Sequence, residues 1–128
     1  MVMFILDYET EEIADYKYFP ECAKFDECKK KTDYGIIRFY KKEERLEVLK
    51  KAPKDFSRQV SVKEPVEFHN SINKLRVEES LSELTEEEYP TPTEGFITYF
   101  YADHAMTNIM KTYRNEGILM KKGISIWY

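Results

Sequence analysis

Glycine, cysteine, histidine and tryptophan are all scarce in this chain of 128 residues, which holds 4 Gly, 2 Cys, 2 His and 1 Trp. So few glycines leave no glycine-rich loop of the kind that wraps a phosphate. Cys22 and Cys28 are too few for a secreted disulfide scaffold, and with His69 and His104 they show no zinc-ligand spacing. Free thiols in a reducing compartment are the expectation. No run of about 18 apolar residues is present to cross a membrane. The opening MVMFIL has no basic flank and meets Asp7 at once, so it does not read as a signal peptide. The expectation is a soluble, cytoplasmic chain without a membrane segment, metal or cofactor. No repeat, low-complexity tract or linker divides it.

What is present argues for a packed core. Hydrophobic residues make up 42% and aromatic residues 15%, enough to exclude intrinsic disorder although 34% of residues are charged. The length suits a single domain that buries about two-thirds of its unfolded surface. Scarce Ala and Gly with plentiful Lys, Glu, Tyr and Ile match A/T-rich coding, as in low-GC bacteria and their phages. The net charge of −4 is unevenly spread. Residues 29–58 hold 11 Lys or Arg against 5 Asp or Glu, and the remainder holds 9 against 19.

The clearest local signals lie between Thr93 and Ile118. The aromatic and β-branched run from Phe96 to Ala102 predicts a strand covered on both faces, central in a sheet. Asp103 then reads as the N-cap of a helix from His104 to Asn115, with Ala105, Met106, Ile109, Met110 and Tyr113 in one apolar stripe and Gly117 closing the end. Elsewhere Val2 to Leu6 predicts a buried strand. The acids from Asp7 to Asp15 fit a loop or an exposed strand, and Pro20 suits the first turn of a helix running to Lys31. Gly35 to Tyr40 and Arg45 to Leu49 bracket the turn KKEE as a hairpin, and Phe56 to Val62 reads as a third strand of the same sheet. From Glu64 to Tyr89, Phe68, Ile72 and Leu75 have helical spacing, and so do Val77, Leu81 and Leu84, so one kinked helix or a helix, a strand and a short helix each fit. Ser80 with Glu83 reads as the capping box of a short helix from Leu81. Ile118 to Met120 and Ile124 to Tyr128 read as a terminal hairpin or one bulged strand. The fold class expected is α+β: a mainly antiparallel sheet of about five strands with two or three helices on one face.

DYET, at Asp7 to Thr10 after the first strand, resembles the first motif of the DEDD family of 3′ to 5′ exonucleases. The resemblance implies Asp7 and Glu9 as ligands of two metal ions that activate water and stabilise the leaving oxygen. Tyr99 and Asp103 have the spacing of that family's last motif, although here Tyr99 falls in an expected strand. No middle aspartate motif lies between, since Asp26 and Asp55 are too close to the first motif or lack the context, and the chain is shorter than the family's domain. YGIIRFY at Tyr34 to Tyr40, with VMFILD, resembles the paired strand motifs of RNA-recognition domains, which implies nucleic-acid contacts by Arg38, Tyr40, Lys41 and Lys42. Thr32 and Asp33 stand where that family has a basic residue and a glycine. An ordinary strand with a solvated basic edge explains the same residues.

His104, in the first turn of its helix, has no Ser or Cys placed by sequence to partner it. Six glutamates, Glu78, Glu79, Glu83, Glu86, Glu87 and Glu88, fall in eleven residues. Such a run is ordinarily a solvated helix face; as a functional surface it suits a basic protein partner. The function expected is therefore non-catalytic: an interaction module acting by stoichiometric binding, of the kind phages and mobile elements use as inhibitors or regulators. The competing expectations are a metal-dependent enzyme of nucleic acid or nucleotides built on Asp7 and Glu9, and a small nucleic-acid-binding module.

Overall fold

The computed structural model describes residues 1–127, so Tyr128 of the expected terminal strand lies outside the described residues. In chain order the elements are β1 (Val2–Glu9), β2 (Ile13–Pro20), α1 (Phe25–Cys28), β3 (Gly35–Tyr40), β4 (Arg45–Lys50), β5 (Ser57–Val60), α2 (Lys63–Glu78), β6 (Phe96–Tyr99), α3 (Phe100–Glu116) and β7 (Lys122–Ser125). They form two compact units. Unit 1 holds Met1–Phe56 and the residues from Tyr99 on; unit 2 is Ser57–Thr98. The class is α+β, with a five-stranded antiparallel sheet in the order β4-β3-β2-β1-β7 and a two-stranded sheet of β5 and β6.

Alternation along the strands of unit 1 builds two apolar layers. Val2, Phe4, Ala14, Tyr16, Tyr18, Ile37 and Phe39 point to one face, where α3 lays down Tyr101, Ala102, Ala105 and Ile109. Each fully buried large side chain among them contributes about 1.5–3 kcal/mol. Met106, Met110 and Tyr113 complete the expected stripe from its margin. On the other face Met3 and Phe19 pack with Cys22 and Cys28, and Phe25, Tyr34 and Ile5 flank them. α1 and its flanks cover part of that face, and Ile36 of β3 also lies on it, partly buried. Gly117, at φ 71°, closes α3 as expected, its N–H donating to the Tyr113 carbonyl at 2.8 Å.

The run Phe96 to Ala102 is not one central strand. It splits at Tyr99 into β6 and the first turn of α3, and Phe96 and Ile97 are exposed. The physical cause is Asp55, a buried carboxylate from the loop after β4. Its Oδ1 accepts from the Tyr101 N–H at 2.8 Å and its Oδ2 from the Ala102 N–H at 3.2 Å. The first-turn amides are thus satisfied from a distant segment, and the helix begins earlier than local signals indicate. Asp103 lies inside the helix and reaches back, accepting from the Tyr99 N–H at 3.1 Å. Burial raises its carboxyl above the ordinary range. The Tyr18 hydroxyl donates to Asp55 Oδ2 at 2.8 Å and accepts from the Ala52 N–H at 2.9 Å. Gly35 makes room for that hydroxyl: a Cβ at 35 would collide with the Tyr18 ring.

Other expectations are corrected. Pro20 ends β2 rather than starting a helix, and α1 is a single turn, because the chain leaves the sheet at Glu21 in the left-handed region, φ 54°. Cys22 and Cys28 are not free thiols; they form a buried disulfide with Cα atoms 6.1 Å apart. Cys22 precedes α1 and Cys28 ends it, and that separation is within the span a disulfide bridges. β5 joins β6 rather than the main sheet. β1 continues through Glu9, and the acids after it make the turn into β2.

Candidate interaction surface

Unit 2 is built on α2, which starts close to where the spacing of Phe68, Ile72 and Leu75 places a helix. That stripe is not its core, however. Phe68 is 63% exposed, Leu75 is also exposed, and the only buried residues of the unit are Val60 and His69, the latter 4% exposed. The helix instead uses a polar stripe at positions 69, 73 and 76 to hold the segment that follows it. Arg76 Nε donates to the Ser82 carbonyl at 2.9 Å, Asn73 Oδ1 accepts from the Leu84 N–H at 2.9 Å, and His69 Nε2 donates to the Tyr89 carbonyl at 2.8 Å. The His69 and Tyr89 rings lie 4.3 Å apart. Residues 82–89 therefore run back along the helix as a strap, and no helix starts at Leu81. Ser80 takes φ 62°, which ends α2 and turns the chain. The spacing i, i+4, i+7 of His69, Asn73 and Arg76 is the sequence signal that apolar periodicity passes over.

Within this strap the capping box lies at Thr85 and Glu88 rather than at Ser80 and Glu83. The Thr85 N–H donates to Glu88 Oε1 at 3.1 Å and the Glu88 N–H to Thr85 Oγ1 at 3.2 Å. Glu86 accepts from both the hydroxyl and the amide of Thr91. These bonds hold the Glu86 and Glu88 carboxyls below the ordinary carboxylate range. Two of the six glutamates are thus tied into the loop, and all six are exposed. Glu78 and Glu83 share a groove of about 550 Å³ with Asn70, Asn73, Lys74 and Val77. Val77, at 54% exposed, stands beside them, with Leu81 at 52% and Glu79 close in sequence. Unit 2 holds four Lys or Arg against nine Asp or Glu, a net −5, leaving unit 1 at +1.

The other candidates are dispersed or self-neutralised. Asp7 pairs with Lys17 at 3.5 Å and Glu9 with Lys41 at 2.6 Å, and among the described residues no three His, Cys, Asp or Glu side chains gather to hold a metal. Arg38 donates to both carboxylate oxygens of Asp15, at 2.8 and 3.0 Å. The Tyr40 hydroxyl donates to Glu47 at 2.7 Å, which pushes its pKa up, and Lys42 is exposed. Of the four residues that resemble an RNA-binding strand, three are thus already paired with acids. The His104 ring stacks on Trp127, centroids 3.8 Å apart and planes 4° apart. No family model matches the chain, and no curated protein or solved structure is significantly similar to it.

Proposed function

We propose that the chain is a non-catalytic protein-interaction module that binds a basic partner stoichiometrically through unit 2. The observation that carries this reading is the juxtaposition of exposed apolar side chains with carboxylates: Val77, Leu75 and Leu81 stand uncovered among Glu78, Glu79 and Glu83. A unit that buries so little of its own apolar surface gains most by burying it against something else. The apolar residues supply the anchor, and the carboxylates, −5 over the unit, speed encounter with a positive surface. Glu78, Glu79, Glu83 and Glu87 are the steering groups, since Glu86 and Glu88 also hold the strap. An inhibitor or regulator works this way, by occupying a surface rather than turning over a substrate.

Capture from a host lysate with tagged chain tests this. The wild type should retain one protein in near-equal amount after nuclease treatment. Val77→Asp with Leu81→Asp should weaken capture about 30-fold, the scale of losing one central anchor worth about 2 kcal/mol. Charge reversal at Glu78, Glu83 and Glu87 should slow association and flatten its salt dependence. Capture that is unchanged in both variants removes unit 2 as the binding surface.

A further inference from the structure

We propose that the face of the main sheet opposite α3, beside the part that α1 covers, binds single-stranded nucleic acid along a lysine row that crosses all five strands. Strand register builds the row. Lys122 of β7 pairs with Ile5 of β1, Ile5 with Lys17 of β2, Lys17 with Ile36 of β3, and Ile36 with Lys50 of β4. The irregularity that makes Ile36 partner Lys50 while Ile37 partners Val48 turns Lys50 to this face; Leu46 and Val48, before it, pack on the α3 side. Strands about 4.8 Å apart make the row about 19 Å long, with a lysine at each end, one in the middle and a partly buried isoleucine in each gap.

Aromatic rings gather the amines. The Lys17 and Lys50 ammonium groups lie 4.4 and 4.5 Å from the centre of the Tyr34 ring, and that of Lys122 lies 4.7 Å from the centre of the Phe25 ring. Two like charges over one ring repel each other, and an anion placed between them removes that repulsion. Lys17 has Asp7 at 3.5 Å, but neither Lys50 nor Lys122 has an ion pair among the described residues. The neighbouring row is the reverse case. Asp15, Arg38 and Glu47 are successive cross-strand partners, and with Arg45, 3.6 Å from Glu47, two cations meet two carboxylates and their charges cancel. Positive charge on this face is therefore concentrated in one line. Lys29, Lys30 and Lys31 leave α1 beside it, because Phe25 and Cys28 pack on the same face.

Charge complementarity selects a polyanion, and the alternation selects an unpaired strand. Phosphates spaced along a chain meet the lysines, while exposed base faces meet Ile5 and Ile36; a duplex keeps those faces inside. The row shares no residue with the surface of unit 2, so this inference stands apart from the protein-binding reading.

The test is fluorescence anisotropy of a labelled oligothymidylate of about a dozen residues with the full chain. Three lysine contacts to single-stranded phosphates should give a log–log salt slope of about −2, a loss of about 20-fold between 50 and 200 mM NaCl. Lys17→Gln, Lys50→Gln and Lys122→Gln together should abolish binding. Lys50→Gln with Lys122→Gln, both free of ion pairs, should still fold and should reduce the slope to about −0.7. Lys111→Gln with Arg114→Gln, on the exposed side of α3, should leave binding unchanged. The inference is overturned if the wild type does not bind at 50 mM NaCl, or if the row variants match the α3 variant. It is equally overturned if phosphatidylserine vesicles, or a second copy of the chain, bind the row while the oligonucleotide does not.

Discussion

Replacing Asp55 by Ala removes the group on which the first turn of α3 is seated. Asp55 is 3% exposed and accepts hydrogen bonds from the Tyr101, Ala102 and Phe56 amides and from the Tyr18 hydroxyl. Loss of an N-cap costs about 1 kcal/mol. Leaving two or three buried donors without an acceptor adds about 1–3 kcal/mol each, less where water enters the vacated space. A total near 4 kcal/mol follows, a large share of the 5–15 kcal/mol that holds a typical domain. The sole tryptophan, Trp127, stacks on His104 within α3 and reports locally on unit 1. With a urea m-value of about 2 kcal/mol/M, its fluorescence midpoint should fall by about 2 M in Asp55→Ala. Asp55→Asn keeps the shape but must turn an NH2 toward one of the donors, so a loss of about 2 kcal/mol is expected. Asp55→Ala within 1 kcal/mol of the wild type, or Asp55→Asn equal to it, would show that helix α3 does not depend on this carboxylate.

Gly35→Ala should cost about 2 kcal/mol in the same urea assay, because the new methyl displaces the Tyr18 ring from Asp55, and the cost should shrink in a Tyr18→Ala background to the part set by the Ala52 backbone nitrogen, 2.7 Å from the same methyl. Reducing the Cys22–Cys28 disulfide should lower stability by about 2 kcal/mol, the chain-entropy value for so short a loop; equal midpoints with and without reductant would contradict this. The Glu21 carboxyl is held below its ordinary range by the Tyr101 hydroxyl at 2.8 Å and then by the N-terminal ammonium at 3.2 Å. Its contribution is therefore present above the ordinary glutamate range and lost as pH falls through the lowered folded value. The stability gap between wild type and Glu21→Gln should be full at neutral pH and close in acid, and a gap that persists in acid refutes the assignment.

The parts of the fold legible in the sequence are those whose cause is local. The alternation in β1 and β3, the KKEE turn and the stripe from Ala105 to Tyr113 ending at Gly117 all follow from neighbouring residues. Where the cause is distant, local reading fails. The N-terminus of α3 is set by Asp55, about fifty residues earlier in the chain, so Phe100 to Ala102 read as strand although they are helix. Phe68 and Leu75 read as core because their spacing is helical, yet burial depends on what stands opposite them, and the face of α2 that meets the strap is polar. The six glutamates were legible as a cluster, but not the difference between the two that bind threonines and the four that do not. The lysine row was invisible, since Lys17, Lys50 and Lys122 are far apart in sequence and meet only through register.

Unit 2 itself offers a rival occupant for that row, the acidic strap of another copy. The two occupants differ in what they leave behind. Glu86 and Glu88 already accept from Thr91 and Thr85, so of the strap's four glutamates only Glu83 and Glu87 could turn fully to the lysines without loosening the loop. Such a contact would also join different surfaces of two copies, and unless its rotation closes a ring it continues into open chains. Sedimentation at low salt therefore separates them: strap binding gives a mass that grows with protein concentration and returns to monomer in Glu83→Lys with Glu87→Lys. An oligonucleotide site gives a constant mass, indifferent to those two residues and lost with Lys17, Lys50 and Lys122.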